Sequence, residues 1–171
     1  MEQIQPNLEG LFAITYGLYI VTSSDGEQEN GMIVNTSFQV TAEPPQVAVS
    51  VNKKSFTHEL IMRSKKLAVM PLEQQTPFVF IGRFGFRTGR TFHKLENVDF
   101  CKGENGCPLI KQHTLSAIEL SVSQTVDLST HTLFIGNVTN TRVFIPDGVP
   151  LTYAYYRDVL KGKTPAEATH I

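Results

Sequence analysis

The sequence lacks the loops and clusters that announce several large classes of chemistry. No GxGxxG follows a strand-like run and no GxxxxGK[ST] occurs, so neither dinucleotide nor nucleotide phosphates have their usual glycine loop. Serine is nowhere set in GxSxG, so the nucleophile elbow of an α/β-hydrolase is absent. "HE" at 58–59 lacks the second histidine of a zinc protease, and the 5 histidines are scattered without short-range metal spacing. Cysteine is almost missing. Its two copies, Cys101 and Cys107 in "CKGENGC", fit neither paired zinc knuckles nor a CxxC redox pair. They read as two free thiols in a turn-rich loop, with a regulatory disulfide as the alternative.

An excess of one charge is also missing. Fifteen Lys and Arg stand against 16 Asp and Glu, a net charge of −1, so no chain-wide field draws in nucleic acid or acidic membrane. The opening "MEQIQPNLEG" shows no charged leader followed by an apolar run, and no stretch reaches membrane-spanning length. A soluble, cytoplasmic protein is expected, with neither nucleic acid nor membrane as partner. Internal repeats and βαβ alternation are absent too.

What is present suits folding. With 41% hydrophobic and 18% charged residues, the chain can bury a core, and its length suits one domain over residues 1–171. The pattern is mainly β with short helices. Asn7 can cap a first helix through "LEGLFAITY". "GLYIVTS" (17–23) alternates as a strand, "SSDGEQENG" carries an Asp-Gly turn signal, and "MIVNTSFQV" (32–40) reads as one second strand. In "QVAVSVN" (46–52), Val47, Val49 and Val51 share one face, while Ala48, Ser50 and Asn52 leave the other stripped of bulk. Such a face admits close approach by another strand, a subunit or a planar ligand. Ser55 or Thr57 can cap a helix through "HELIMRSKK", and Thr76-Pro77 reads as an N-cap followed by proline opening "FVFIGRF". "LAVMPL" (67–72) is a short buried strand. Two long strands over 115–126 and 131–144 form a hairpin about "DLST", and a short amphipathic helix with an extended tail fills about 151–171. Consecutive antiparallel strands joined by short helices predict a small β-barrel with helices at its rims.

Polar groups gather on one rim of that barrel. "NTSF" (35–38) brings Asn35, Thr36 and Ser37, and "NKKSFT" (52–57) brings Asn52, Lys53, Lys54, Ser55 and Thr57 beside a helix start. "FGFRTGR" (84–90) adds Arg87, Thr88 and Arg90, with Lys94 close behind. A phosphate dianion would satisfy both the cationic heads and first-turn amides. Each piece alone reads as an ordinary cap or a solvated loop; together they describe an anion cradle.

The segments "GMIVNTSFQVTAEPPQVAVSVNKKSFTHELI" (31–61), "FGFRTGRTFHKL" (84–95), "THTLFIGNV" (130–138) and "PLTYAYY" (150–156) resemble the flavin reductase-like FMN-binding split-barrel family, in particular flavoredoxins and the flavin domain of high-molecular-weight rubredoxins. The resemblance spans roughly residues 8–165. It implies a homodimer that binds FMN and takes hydride from NADH or NADPH. It places Val34, Asn35, Thr36 and Ser37 along the isoalloxazine, and Asn52, Lys53, Lys54, Ser55 and Thr57 on the ribityl chain and phosphate. Arg87, Thr88 and Lys94 would close over the phosphate, His131 would sit on the nicotinamide side as a catalytic group, and Tyr153 or a neighbouring tyrosine would pack near the ring. Ile33-Val34 stands where many relatives carry Thr-Ala, which makes the pocket more apolar. Relatives fused to rubredoxin run past a similar "GKTP" into an iron site, so a rubredoxin-like or other separate redox partner is expected here. Without the resemblance, His131 is a turn residue opening a strand. The functions in play are an NAD(P)H-dependent flavin reductase, a flavoredoxin-type electron carrier, and a split-barrel module for another ligand such as haem or pyridoxal phosphate.

Overall fold

A computed structural model describes residues 6–163. The Asn7 side chain accepts from the Glu9 amide at 3.0 Å and starts a 3-10 helix, Leu8–Ala13, that buries none of its residues. At the Asp-Gly turn the Asp25 carboxylate accepts from the amides of Glu27 (3.1 Å) and Gln28 (2.8 Å). Gly26 takes φ +97°, which a side chain would resist. That turn fixes the register of β1 (Tyr19–Ser24) against β2 (Glu29–Val34), from Ser24 opposite Glu29 to Tyr19 opposite Val34.

The strand expected over 32–40 is two strands. The chain breaks at Asn35–Thr36, and β3 (Ser37–Ala42) leaves β1 and β2 to pair with β4 (Pro45–Asn52). No local breaker marks the division, because it is imposed by pairing with a distant strand. Ser55 then accepts from the His58 amide at 3.0 Å and caps α1 (Phe56–Ser64), while Lys65, at φ 57°, closes it. Next come β5 (Lys66–Pro71) and α2 (Phe78–Gly85). Pro77, rather than Thr76, occupies the cap position of α2, because the Thr76 hydroxyl turns back to the Glu73 carbonyl.

The "CKGENGC" segment is a short hairpin of β6 (Phe100–Lys102) and β7 (Pro108–Ile110), both missed in the sequence because each is only 3 residues long. Both cysteines are free. The fully buried Glu119 carboxylate holds the hairpin tip, accepting from the Asn105 amide and from Asn140 Nδ2, each at 2.9 Å. The two long strands are β8 (Ser116–Asp127) and β9 (His131–Val143), and α3 (Tyr153–Asp158) follows, capped by Thr152. The extended end expected beyond α3 lies, from residue 164 on, outside the described residues.

Seven strands form one antiparallel sheet in the order β2-β1-β5-β8-β9-β4-β3. Val34 of β2 and Val49 of β4 stand far apart in that order, yet they share one buried cluster with Val21, Leu67, Leu120 and Phe134. Such convergence requires the sheet to curl on itself. The result is a barrel left open between its edges, the split form expected. A second cluster, including Leu18, Met70, Phe80, Phe84, Leu109 and Tyr156, seats α2, α3 and the small hairpin against the outside.

Phe134 lies at 0% exposure in the cluster that closes the curl. Phe134→Ala should cost about 3–5 kcal/mol through lost burial and the cavity left behind. Urea unfolding would measure it, and a loss below about 1 kcal/mol would contradict this core.

Candidate functional site

The stripped face of β4 opens onto a cavity of about 390 Å³. Ser50 and Asn52 form one wall, and β2 supplies Val34 and the buried Asn35 where it breaks off. The N-terminal end of α1 contributes Lys54, Ser55 and Phe56. Asn52 shapes that corner, since its Oδ1 accepts from the Lys54 amide at 2.9 Å. Across from it, α2 ends in Phe84 and Gly85, and the following loop adds Phe86, Arg87, Thr88 and Gly89.

The loop is tied in several ways. Arg83 donates to the carbonyls of Lys94 (3.2 Å) and Glu96 (2.6 Å), folding residues 84–96 back on α2. The Arg87 guanidinium lies 4.7 Å from the Phe92 ring centre. Arg90 points away from the cavity, pairs with Glu59 and lies 5.5 Å from the Phe56 ring.

Lys94 is the unusual group. It is 5% exposed and lines the cavity, and its ammonium donates to the Phe84 carbonyl at 2.9 Å. No carboxylate pairs with it among the described residues. Burial pushes its pKa down to about 8. A buried cation with one neutral acceptor, in one cavity with Arg87, Lys54 and a capped helix start, is a donor set that can hold an anion.

His131 stands beside the α1 corner. It opens β9 opposite Asn52 and is 8% exposed. Its Nδ1 lies 2.7 Å from the Thr130 hydroxyl. Burial, and then the nearby Lys53 charge, hold its pKa below the usual imidazole value. His58, which approaches the Thr132 hydroxyl at 2.8 Å through Nε2, is lowered first by burial and then by Lys53. Tyr153, Tyr156, Ile81 and Leu18 make the apolar end, where Tyr156 OH donates to the Lys163 carbonyl at 2.9 Å.

The sequence-derived set divides. Val34, Asn35, Asn52, Lys54, Ser55, Arg87, Thr88, Lys94, His131 and Tyr153 line this one cavity. Thr36, Ser37, Lys53 and Thr57 sit outside its lining. The Thr36 carbonyl accepts from the Ser50 amide at 3.0 Å as the chain leaves for β3, and Ser37 pairs with Val49. Lys53 reaches the β8–β9 turn, where it pairs with Asp127 at 2.6 Å and donates to the Leu128 carbonyl. Thr57 is fully buried and accepts from Asn30 Nδ2 at 2.9 Å. Sequence reasoning missed Asn30 and Lys163, which lie in no motif, and left Phe56 and Gly89 unassigned although "NKKSFT" and "FGFRTGR" contain them. Ser50 was signalled by the missing bulk on its strand face.

The flavin reductase like domain model matches residues 11–162. The chain is 44% identical over 163 residues to the ferric-chelate reductase (NAD(P)H) of Archaeoglobus fulgidus, covering 95% of this chain and 96% of that protein. It is 43% identical over 160 residues to the high molecular weight rubredoxin of Moorella thermoacetica, covering 94% of this chain and 69% of that one. Flavoredoxin from Methanosarcina acetivorans has the same fold, with a TM-score of 0.73 and 20% identity, covering 89% of this chain and 91% of that one.

Lys94 carries a pH signature. Its folded pKa of about 8 lies below its ordinary 10.5, so between these values the unfolded chain holds a proton that the folded chain has released. Stability should therefore rise with pH above about 8, and the full penalty acts below it. Cys107, pushed up to about 11 from 9.0 by burial, opposes this only above pH 9. Denaturant midpoints at pH 7 and pH 9 should rise for the wild type relative to Lys94→Met. Parallel midpoints would contradict a protonated buried lysine.

Proposed function

The chain belongs to the flavin reductase like domain family, and from that premise we propose where its cofactor sits and how its residues serve it. It is an NAD(P)H-dependent oxidoreductase of the flavin reductase type, with FMN as cofactor. The observation that carries the placement is the buried, unpaired Lys94 ammonium in one cavity with Arg87, Lys54 and the Ser55-capped helix start. An FMN phosphate there relieves the cost of that buried charge. Thr88 adds a hydroxyl, Asn52 lies toward the ribityl chain, and Val34, Asn35 and Tyr153 flank the ring.

FMN, when bound, supplies the hydride-accepting and electron-passing chemistry. The protein holds the ring beside an apolar wall, excludes water from that side and orients the nicotinamide. His131 is the proton-handling group of this reading. Thr130 occupies Nδ1, which leaves Nε2 to exchange a proton, and the lowered pKa keeps the ring neutral near pH 7. Lys53 and Thr57 act behind the site: the Lys53 charge adds to burial in keeping His131 neutral, and Thr57 braces the start of α1.

The likeness to a ferric-chelate reductase over nearly its full length supports delivery of electrons to free flavin or to a small chelate. The likeness to a high molecular weight rubredoxin favours a second reading, in which a separate redox protein takes the electrons and NAD(P)H is used poorly. A homodimer suits the exposed Phe38 and Val40 on the unpaired edge strand β3, where a second copy would cover them. Among the described residues no helix is long and apolar enough to cross a membrane, and a cytoplasmic setting suits a nicotinamide donor.

Three measurements test these assignments. Purified protein should quench FMN fluorescence, and anaerobic NADH or NADPH should bleach the bound flavin; persistent yellow with both nucleotides selects the carrier. Ser55→Ala should weaken FMN binding by up to about tenfold, the worth of one hydrogen bond; unchanged affinity would place the phosphate elsewhere. His131→Ala should slow bleaching at nearly constant FMN affinity, and an unchanged rate would remove its role.

A further inference from the structure

The cradle has two halves that come from distant parts of the chain. One is the start of α1, with Lys54 and Ser55; the other is the loop after α2, with Arg87 and Thr88. Their visible link is the Arg90–Glu59 pair, which is exposed and therefore weak in water.

A buried link runs beneath it. Asn30, on β2, is 4% exposed. Its Nδ2 donates to Thr57 Oγ1 at 2.9 Å, and Thr57 is fully buried two residues after the Ser55 cap. The other side of the same amide lies flat against Gly89. A Cβ on Gly89 would come closer than 3.0 Å to the oxygen, carbon and nitrogen of that amide, nearer than real Cβ atoms come. Asn30 therefore touches both halves at once, by a hydrogen bond to one and by close backbone contact with the other. Asn30, Gly89 and Lys94 also line a second cavity beyond this contact, so the Asn30–Gly89 seat is a thin partition with little behind it to replace it.

We infer that Asn30 and Gly89 form a positioning seat that sets the gap between the capped helix start and the Arg87–Thr88 loop, and so fixes the fit of the cavity to a phosphate ester. The inference rests on the phosphate placement proposed above. Asn30 acts through Thr57 and through the loop backbone. Gly89 is required for the approach, since a side chain there must displace either the Asn30 amide, with its bond to Thr57, or the loop that carries Arg87.

The test compares two probes that differ by the phosphate alone, FMN and riboflavin, titrated by fluorescence quenching on the full chain. Gly89→Ala should lower FMN affinity by about tenfold and riboflavin affinity by less than about twofold. Asn30→Ala should lower FMN affinity by about threefold and spare riboflavin likewise. In the double variant the small side chain at 30 makes room for the new Cβ, so FMN affinity should return to near that of Asn30→Ala alone. Wild-type FMN affinity in Gly89→Ala, losses that simply multiply in the double variant, or equal losses for both probes would each overturn the seat. If Gly89→Ala does not fold, Asn30→Ala decides, and equal effects on the two probes refute the inference. A wild type that binds riboflavin as tightly as FMN would overturn the phosphate placement and the seat together. A wild-type preference for FMN that survives in Gly89→Ala removes the seat alone.

Discussion

A two-residue link holds the architecture in place. β2 and β3 are the opposite edges of a seven-stranded sheet, yet only Asn35 and Thr36 separate them in the chain. The three Cα–Cα steps from Val34 to Ser37 span about 11 Å at most, far less than the width of a flat seven-stranded sheet, so the edges must meet and the sheet must roll. Rolling brings Val34, Val49 and Phe134 into one core. The ladders do not close across the link, and the open seam there gives the cavity its floor: buried Asn35 on one side, Ser50 on the other, with the Ser50 amide held by the Thr36 carbonyl. The site is a consequence of how the barrel fails to close.

Charge is arranged against the grain of the core. A net charge of −1 gives no general attraction for anions. The cavity nonetheless gathers Lys54, Arg87 and Lys94 in its lining, and Lys94 is buried with a backbone carbonyl as its acceptor. Elsewhere the buried charge is better served, as with Glu119, whose carboxylate receives two donors. A fold tolerates such imbalance where a ligand restores it. His131, across from Asn52, is kept uncharged by burial and by Lys53, whose own charge is answered by Asp127 outside the cavity.

Much of this was legible in the chain. The Asp25-Gly26 turn, the Ser55 cap, the long β8–β9 hairpin and the bare face of β4 each follow from local chemistry that a window of a few residues contains. The break at Asn35–Thr36 was not legible, since alternation runs through it and long-range pairing alone divides it. The β6–β7 hairpin hid for a different reason: 3-residue strands carry no period. In the site, residues on capped or glycine-flanked segments were found, whereas Thr57, adjacent to found residues, turned inward to serve Asn30. Lys53 turned outward because the pairing of Asn52 with His131 carries it over the hairpin end. Sequence spacing identified the rim, and only the helix and strand geometry decided which side chains face it.

The walls of the cavity share one property. Asn35 ends a strand, Asn52 ends another, Ser55 precedes a helix, Gly85 ends a helix, His131 begins a strand and Tyr153 begins a helix. Element ends carry backbone groups that no ladder or helical turn satisfies, so they are where caps, turns and ligands compete for the same donors. A site assembled from such ends can change its side chains without breaking a ladder, which accounts for a stable barrel carrying a locally unfavourable charge. It also makes the site depend on several elements at once, since β2, β4, β9 and the three α-helices all line it. Both α1 and α2 pack on β2, through core residues such as Ile61 and Phe84, so the gap between Ser55 and Arg87 depends on how each helix seats there.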